Sequence, residues 1–520
     1  MTASESAPRH TASITFHPDF VVGSIDPRLF GSFVEHVGRC VYTGIYEPDH
    51  PTADAMGFRT DVGDLTRELG VTLVRYPGGN FVSGYRWEDG VGPKHDRPRR
   101  VDLAWRSIES NHIGTDEFLG WASRQSLKPM MAVNLGSRGL QPAANLVEYT
   151  NVRGGTYWSD LRRANGSSDP YGVNLWCLGN EMDGPWQTGQ KSAAEYATVA
   201  AEAAKAMRAV DPGIELVACG SSSREMPTFG AWESTVLEHT YDLVDYVSVH
   251  AYYQQHGDDR ASFLASGAAL EALISDVAAT ADAVKARLHS NKTIYLSLDE
   301  WNVWYQSRFA TSTGDLIEAP ELLEDTYSTL DAVVVGDLLI SMLKHADRVR
   351  IGCIAQLVNV IAPIRTTPGG EAWRQTTFYP FAHTAANHGS QVLHAVVSAP
   401  ASDTERHGEV SDLNAVVTAS QVEDDRIELT IFIVHRGLEP LVVTLNHRSL
   451  GDFDVVDAVS IAADGFGPRH DATRAAAAQP RAIEWSVATR GTTTLRLPAE
   501  SWTSIRATAT GSLGSAIPYA

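Results

Sequence analysis

The chain has 520 residues, too many for one ordinary small domain and enough for a large domain plus a smaller one. Apolar residues make up 43% and charged residues 20%, the balance of a globular protein with a full core, and no run of 18 apolar residues offers itself as a bilayer span. The net charge of −21, from 63 acidic against 42 basic residues, argues against nucleic acid and anionic membrane as main partners, because phosphate binding needs basic patches; neutral substrates such as sugars fit it.

The segment ASITFHPDF (12–20) reads as an N-terminal strand. From there to about residue 389, short apolar runs alternate with helical segments. The runs are LFGSFVEH (29–36), VTLVRYP (71–77), KPMMAVNL (128–135), VNLWCLGNE (173–181), IELVACG (214–220), VDYVSVHAYY (244–253), TIYLSLDE (293–300) and VRIGCIAQL (349–357). Helical patterns lie between them, as in 191–210, which Asp211-Pro212-Gly213 stops, and in 265–288 and 327–346. The runs are apolar nearly throughout rather than alternating, as strands buried on both faces require. Eight such units predict an α/β fold, a (β/α)8 TIM barrel with long loops, over residues 21–389. A doubly wound open sheet is the rival, but GSFVEHVG after the first strand is no GxGxxG phosphate turn.

After Gly389 the texture changes. IELTIFIVH (427–435) alternates with period two, and 441–446, 454–461, 492–498 and 504–509 continue as strands without a useful helix. Residues 390–510, joined by the N-terminal strand from 1–20, are expected to form a C-terminal antiparallel β-sandwich. Residues 464–481 read as a long loop and 511–520 as a loose tail.

The four cysteines, at 40, 177, 219 and 353, show no CxxC spacing, and three sit inside strand-like runs. They read as reduced, buried thiols. The first 20 residues lack a basic head followed by an apolar stretch, so no secretion signal and a cytoplasmic location are expected. The glycosylation patterns at Asn165-Gly166-Ser167 and Asn291-Lys292-Thr293 carry little weight on that reading.

In a (β/α)8 barrel the active site forms at the C-terminal strand ends. Here those ends carry Glu35-His36, Arg75 running into Pro77-Gly78-Gly79-Asn80, Asn134, Asn180-Glu181, Ser221, His250 with Tyr252, Asp299-Glu300 and Gln356. One such end could be a strand reaching water; eight together mark a rim. Glu181 and Glu300 end the fourth and seventh strands, which face each other across the mouth. Cleaving a glycosidic bond with retention needs two carboxyls ~5–5.5 Å apart, one to protonate the leaving oxygen and one to attack the anomeric carbon. Asn180 stands where it could bond a sugar 2-hydroxyl. Trp87, Trp186, Trp301 and Trp304 follow strand ends and could wall a sugar, or pack beneath loops. Strict alternation turns Asp299 away if Glu300 points inward. No GxSxG elbow, Walker loop or HExxH is present, and no metal or cofactor is expected: His36, His112, His250 and Glu35 read as hydrogen-bonding groups rather than ligands.

WCLGNEMDGPWQTG around Glu181 and LSLDEWNVWY around Glu300 resemble the intracellular α-L-arabinofuranosidases of glycoside hydrolase family 51. So do FGSFVEHVGRCVYTGIYEP (30–48), VRYPGGNFVSGYRWEDGVGP (74–93), AVNLGSRG (132–139), VSVHAYY (247–253) and CIAQLVNVIAPI (353–364). The resemblance implies a retaining, exo-acting enzyme that releases terminal arabinofuranosyl residues from arabinose-containing oligosaccharides and polysaccharides. Glu181 would be its acid/base and Glu300 its nucleophile. Glu35, Asn80, Asn180 and Gln356 would hold the sugar, Tyr252 would hydrogen-bond the nucleophile, and Arg75, His250 and Trp301 would support the site. It also implies a homohexamer. On the residues alone, another retaining barrel glycosidase, such as a β-xylosidase or endoglucanase, and a non-catalytic carbohydrate-binding barrel stay open.

Overall fold

Each of the eight apolar runs holds a parallel strand, and the eight close into one barrel in chain order: Gly31–Phe33, Leu73–Tyr76, Lys128–Ala132, Leu175–Leu178, Glu215–Ala218, Tyr246–Tyr253, Tyr295–Val303 and Val349–Ile354. The computed structural model describes residues 11–309, 314–463, 479–489 and 491–514. The second and fourth strands are buried at every residue, which is why they lack polar alternation. The first strand starts later than the apolar run. Pro27 and the side chain of Asp26, which accepts from Arg28 N at 2.9 Å, set Pro27–Phe30 in a 3₁₀ turn.

The three expected helices form, at Ala193–Val210, Ser266–Leu288 and Thr329–Lys344. Ser192 and Glu195 close a capping box on the first, and Ser328 and Asp331 one on the third. Every residue from Thr329 to Leu343 is buried. A helix that is apolar all round must be covered all round. The barrel covers one side and the C-terminal sheet the other. Asp337 is held there by Arg436 at 2.9 Å, by Asn414 Nδ2 at 3.0 Å and by the backbone of Gly267 at 2.9 Å. Trp502 lies so close over Gly336 that an added Cβ would sit 2.1 Å from the indole.

The C-terminal part is one ten-stranded sheet curled around its own core, and it includes the N-terminal strand Thr11–Ser24. That strand pairs antiparallel with Gln391–Ser398 but parallel with Leu441–Asn446, so the sheet is mixed, not the wholly antiparallel sandwich expected. In Arg426–His435, Ile427, Leu429, Ile431 and Ile433 face this core, while Phe432 and Val434 belong to the barrel's core. The strand loses its polar alternation where its second face docks. Of the expected loose tail, 511–514 is docked instead: Gly511 N donates to Asp425 O at 2.8 Å and Gly514 N to Pro18 O at 3.0 Å. Residues 515–520, and 464–478 of the expected long loop, lie outside the described residues. All four cysteines are buried and free. Among the described residues no helix is long and apolar enough to cross a membrane.

The packing of Thr329–Lys344 against the sheet predicts how the native protein meets a protease. Limited proteolysis should not release a folded fragment that begins near 390, because that would expose a helix buried from end to end. A stable fragment of that kind on a gel would count against the sheet being an integral partner of the barrel.

Candidate active site

The strand ends bring together residues that are far apart in sequence. Arg75, at the end of the second strand and 1% exposed, forks: Nη1 donates to Glu300 Oε1 at 2.8 Å and Nη2 to Asn180 Oδ1 at 2.7 Å. The planar guanidinium suits such double duty, because its two Nη groups are held in one fixed fork. Tyr252 OH donates to the other Glu300 oxygen at 2.8 Å. Glu35 Oε1 accepts from the backbone of Phe81 at 2.9 Å and from Trp105 Nε1 at 2.8 Å, and Oε2 accepts from Gln356 Nε2 at 3.0 Å. Burial, with the charge of Glu300 added, pushes Glu35 up to about 8 despite the Phe81 and Trp105 donors. Asn180 Nδ2 reaches Asn80 Oδ1 at 3.4 Å. Gly79 passes between two carboxylates: a Cβ there would lie 2.8 Å from Glu35 Oε2 and 3.2 Å from Glu300 Oε1.

Glu181 follows the fourth strand in the left-handed region, at φ 44°, rare for a residue with a side chain and costing ~1 kcal/mol or more. Its Oε1 is 2.9 Å from His250 Nδ1, and its Oε2 accepts from Trp186 Nε1 at 2.7 Å. One oxygen each of Glu181 and Glu300 and a ring nitrogen of His250 all lie within 4.8 Å of one another. Burial foremost, and then the Glu300 charge, raise the Glu181 carboxyl above the usual range, against the His250 and Trp186 donors. Burial alone would lower the His250 imidazole, but Glu300, Asp299 and Glu181 outweigh it and hold it well above its usual value, so Nδ1 donates to Glu181.

These groups edge a cavity of about 1150 Å³ at the C-terminal mouth of the barrel. Glu35, Asn80, Glu181, His250, Tyr252, Glu300 and Gln356 line it; Arg75 and Asn180 stand behind. Trp186 and Trp304 form part of its wall, Trp304 edge-on to Tyr252 at 5.1 Å.

Several expected placements differ. Trp301 does not reach the cavity: it is fully buried and stacks on Phe381, because Glu300 points inward and the next residue therefore points out to the helix layer. Trp87 is buried against Tyr149 and Trp158. Asp299 does not turn away. Its Oδ1 is 3.3 Å from His250 Nε2 and its Oδ2 3.6 Å from Arg75 Nε. The register with the sixth strand slips between Ser297 and Glu300, and the irregularity breaks strict alternation. His36 joins Glu109 at 2.7 Å and Tyr76 at 2.8 Å beneath the site, and His112 is exposed; neither meets His250. Asn134 accepts from the backbone of Gly136 and Ser137 and shapes its own loop.

Trp105 was not foreseen. It lies in the loop between the second strand and the helix Thr115–Arg124, where Asp102 accepts from Ala104 N at 2.9 Å and Trp105 N at 3.3 Å to form the turn. The available signal was the length of that loop at the active rim, where long loops build sites.

The chain matches known proteins over nearly its whole length. Residues 65–265 match the family description "Alpha-L-arabinofuranosidase 1 domain" and residues 299–501 "Alpha-L-arabinofuranosidase C-terminal domain". A Streptomyces lividans protein named intracellular exo-α-(1→5)-L-arabinofuranosidase is 53% identical over 503 residues, covering 95% of this chain and 75% of that one. A Bifidobacterium longum exo-α-(1→6)-L-arabinofuranosidase is 56% identical over 432 residues, covering 81% and 82%. A solved family 51 α-L-arabinofuranosidase from Bifidobacterium longum superposes with a TM-score of 0.91 at 45% identity, over 96% of this chain and 100% of that one.

Proposed function

This chain belongs to the α-L-arabinofuranosidases of glycoside hydrolase family 51, and on that premise we propose that it cleaves by double displacement with net retention, Glu300 attacking and Glu181 serving as acid and then base. It is an exo-acting enzyme that releases terminal arabinofuranosyl residues. The observation that carries the mechanism is the approach of the two carboxylates, with one oxygen of each within 4.8 Å, at opposite ends of a closed barrel's mouth. So close an approach suits the nucleophile and acid of a retaining enzyme better than the wider pair of an inverting one.

Glu35, Asn80 and Gln356 hold the furanose hydroxyls beside Glu300, and Asn180, bonded to Arg75 and Asn80, backs them. One Glu300 oxygen attacks the anomeric carbon while the bond to the leaving oxygen breaks, and Glu181 gives that oxygen its proton. Arg75 and Tyr252 each donate to a Glu300 oxygen and fix the direction of attack. Once Glu300 is an ester its negative charge is gone, and one of the causes that raise Glu181 disappears. Glu181 then takes a proton from water, the water attacks the same carbon, and Glu300 is freed.

The natural substrate is an α-(1→5)-linked arabino-oligosaccharide, the enzyme works inside the cell, and it assembles as a hexamer, the last resting on the family resemblance alone. The name of the Streptomyces lividans relative supports the first two points. The α-(1→6) name of the Bifidobacterium longum relative supports the one alternative linkage. Methanolysis of nitrophenyl arabinofuranoside, followed by NMR, should give the methyl α-arabinofuranoside. The (1→5)-linked disaccharide should turn over faster than the (1→6)-linked one. A β product would overturn the double displacement, and the reverse order of rates would assign the other linkage.

A further inference from the structure

The turn that follows Glu181 folds back on it. Gly184 N donates to Glu181 O at 2.9 Å, and after Pro185 the Trp186 indole returns over Gly184 to place Nε1 2.7 Å from Glu181 Oε2. A Cβ on Gly184 would lie 2.6 Å from the indole Cε2 and 2.9 Å from its Nε1. Gly184 is not in the left-handed region, so its backbone does not call for glycine; the room for the ring does. Trp186 is 52% exposed and stands at the cavity.

We propose that Trp186 is a positioning residue for the acid/base: its indole N–H holds Glu181 Oε2 at the cavity, and Gly184 is the space that lets it do so. The proposal rests on the assignment of Glu181 as acid/base. With His250 on Oε1 and Trp186 on Oε2, the carboxyl cannot turn about its terminal bond without losing a hydrogen bond. Each oxygen keeps a further lone-pair site, so Oε2 can carry the proton while it accepts from the indole. The other titratable groups near Glu181 are His250 and Tyr252 from the sixth strand and Glu300 from the seventh, with Glu35, Arg224 and Glu225 lining the same cavity and Asp299 reaching it through His250. Burial and then Glu300 raise the carboxyl, while His250 and Trp186 lower it. A donor to the ionised form, once removed, lets the pKa rise.

The test uses the whole enzyme and two variants that remove the contact by different routes. Trp186→Phe keeps a ring and loses the N–H. Gly184→Ala keeps the indole and pushes it off. For both, the basic limb of kcat/KM against pH should move up by about one unit, since kcat/KM reports the free enzyme. Cleavage of methyl arabinofuranoside should fall about tenfold, while a dinitrophenyl arabinofuranoside, which needs little acid help, should change less than about twofold. An unmoved basic limb in both variants, or equal slowing of both substrates, would make Trp186 a mere wall and overturn the proposal. Glu181→Ala serves as the control: if it slows both substrates equally, the acid/base assignment itself fails, an outcome distinct from failure of the Trp186 contact.

Discussion

Replacing Glu300 by alanine is expected to lower kcat by about 10⁴-fold or more, ~5.5 kcal/mol of barrier. The change removes the attacking oxygen and also leaves Arg75 Nη1 and the Tyr252 hydroxyl pointing at an empty space. The acid remains, so activation of the leaving group survives the change. A small anion can then replace the missing carboxylate. Azide should restore turnover, and the product should be an arabinosyl azide of inverted configuration, because the anion attacks from the side Glu300 occupied. Activity within tenfold of the wild type, or no azide product, would remove Glu300 from the nucleophile's place.

Glu181→Ala should behave differently, and the difference is the stronger test. General acid catalysis is worth ~10²–10⁴-fold, and most of it is needed when the leaving group is a poor one. Methyl or natural arabinofuranosides should lose about that much. A dinitrophenyl arabinofuranoside should still form the glycosyl-enzyme at near the wild-type rate and then stall, since no base activates the water. Azide should relieve the stall and give a product of retained configuration, entering the space that the carboxyl leaves. In the wild type the basic limb of kcat/KM should belong to Glu181: burial and the Glu300 charge raise its carboxyl above a free glutamic acid, so activity should fall as pH rises past its pKa. Equal losses along a leaving-group series would mean that Glu181 only binds.

Much of this was legible in the residues. The eight apolar runs are long enough to count and continuous enough to mark strands covered on both faces, so barrel and order followed from periodicity. Each strand ends in a polar residue, and the spacing put Glu181 and Glu300 on facing strands. Alternation places Trp301, next to the inward Glu300, in the helix layer, where it packs on Phe381; it fails for Asp299, because the register with the sixth strand slips just before Glu300.

What the sequence determined by itself is therefore the kind of element, its face and its order, all local properties carried by spacing along the chain. It also narrowed the chemistry to a retaining barrel glycosidase or a sugar-binding barrel, and only the resemblance of the motifs around Glu181 and Glu300 pointed to arabinofuranose. Tertiary structure decided which groups touch. Arg75 and Glu300 are 225 residues apart and meet only because the barrel closes. Trp105 reaches Glu35, and Trp186 turns back on Glu181, through loops with no period to read. The N-terminal strand lies inside the sheet, between Gln391–Ser398 and Leu441–Asn446, and its parallel pairing with the latter is a long-range contact that no local spacing marks. Periodicity reports what a residue faces, solvent or core; contacts across a closed barrel depend on distances that no spacing along the chain encodes.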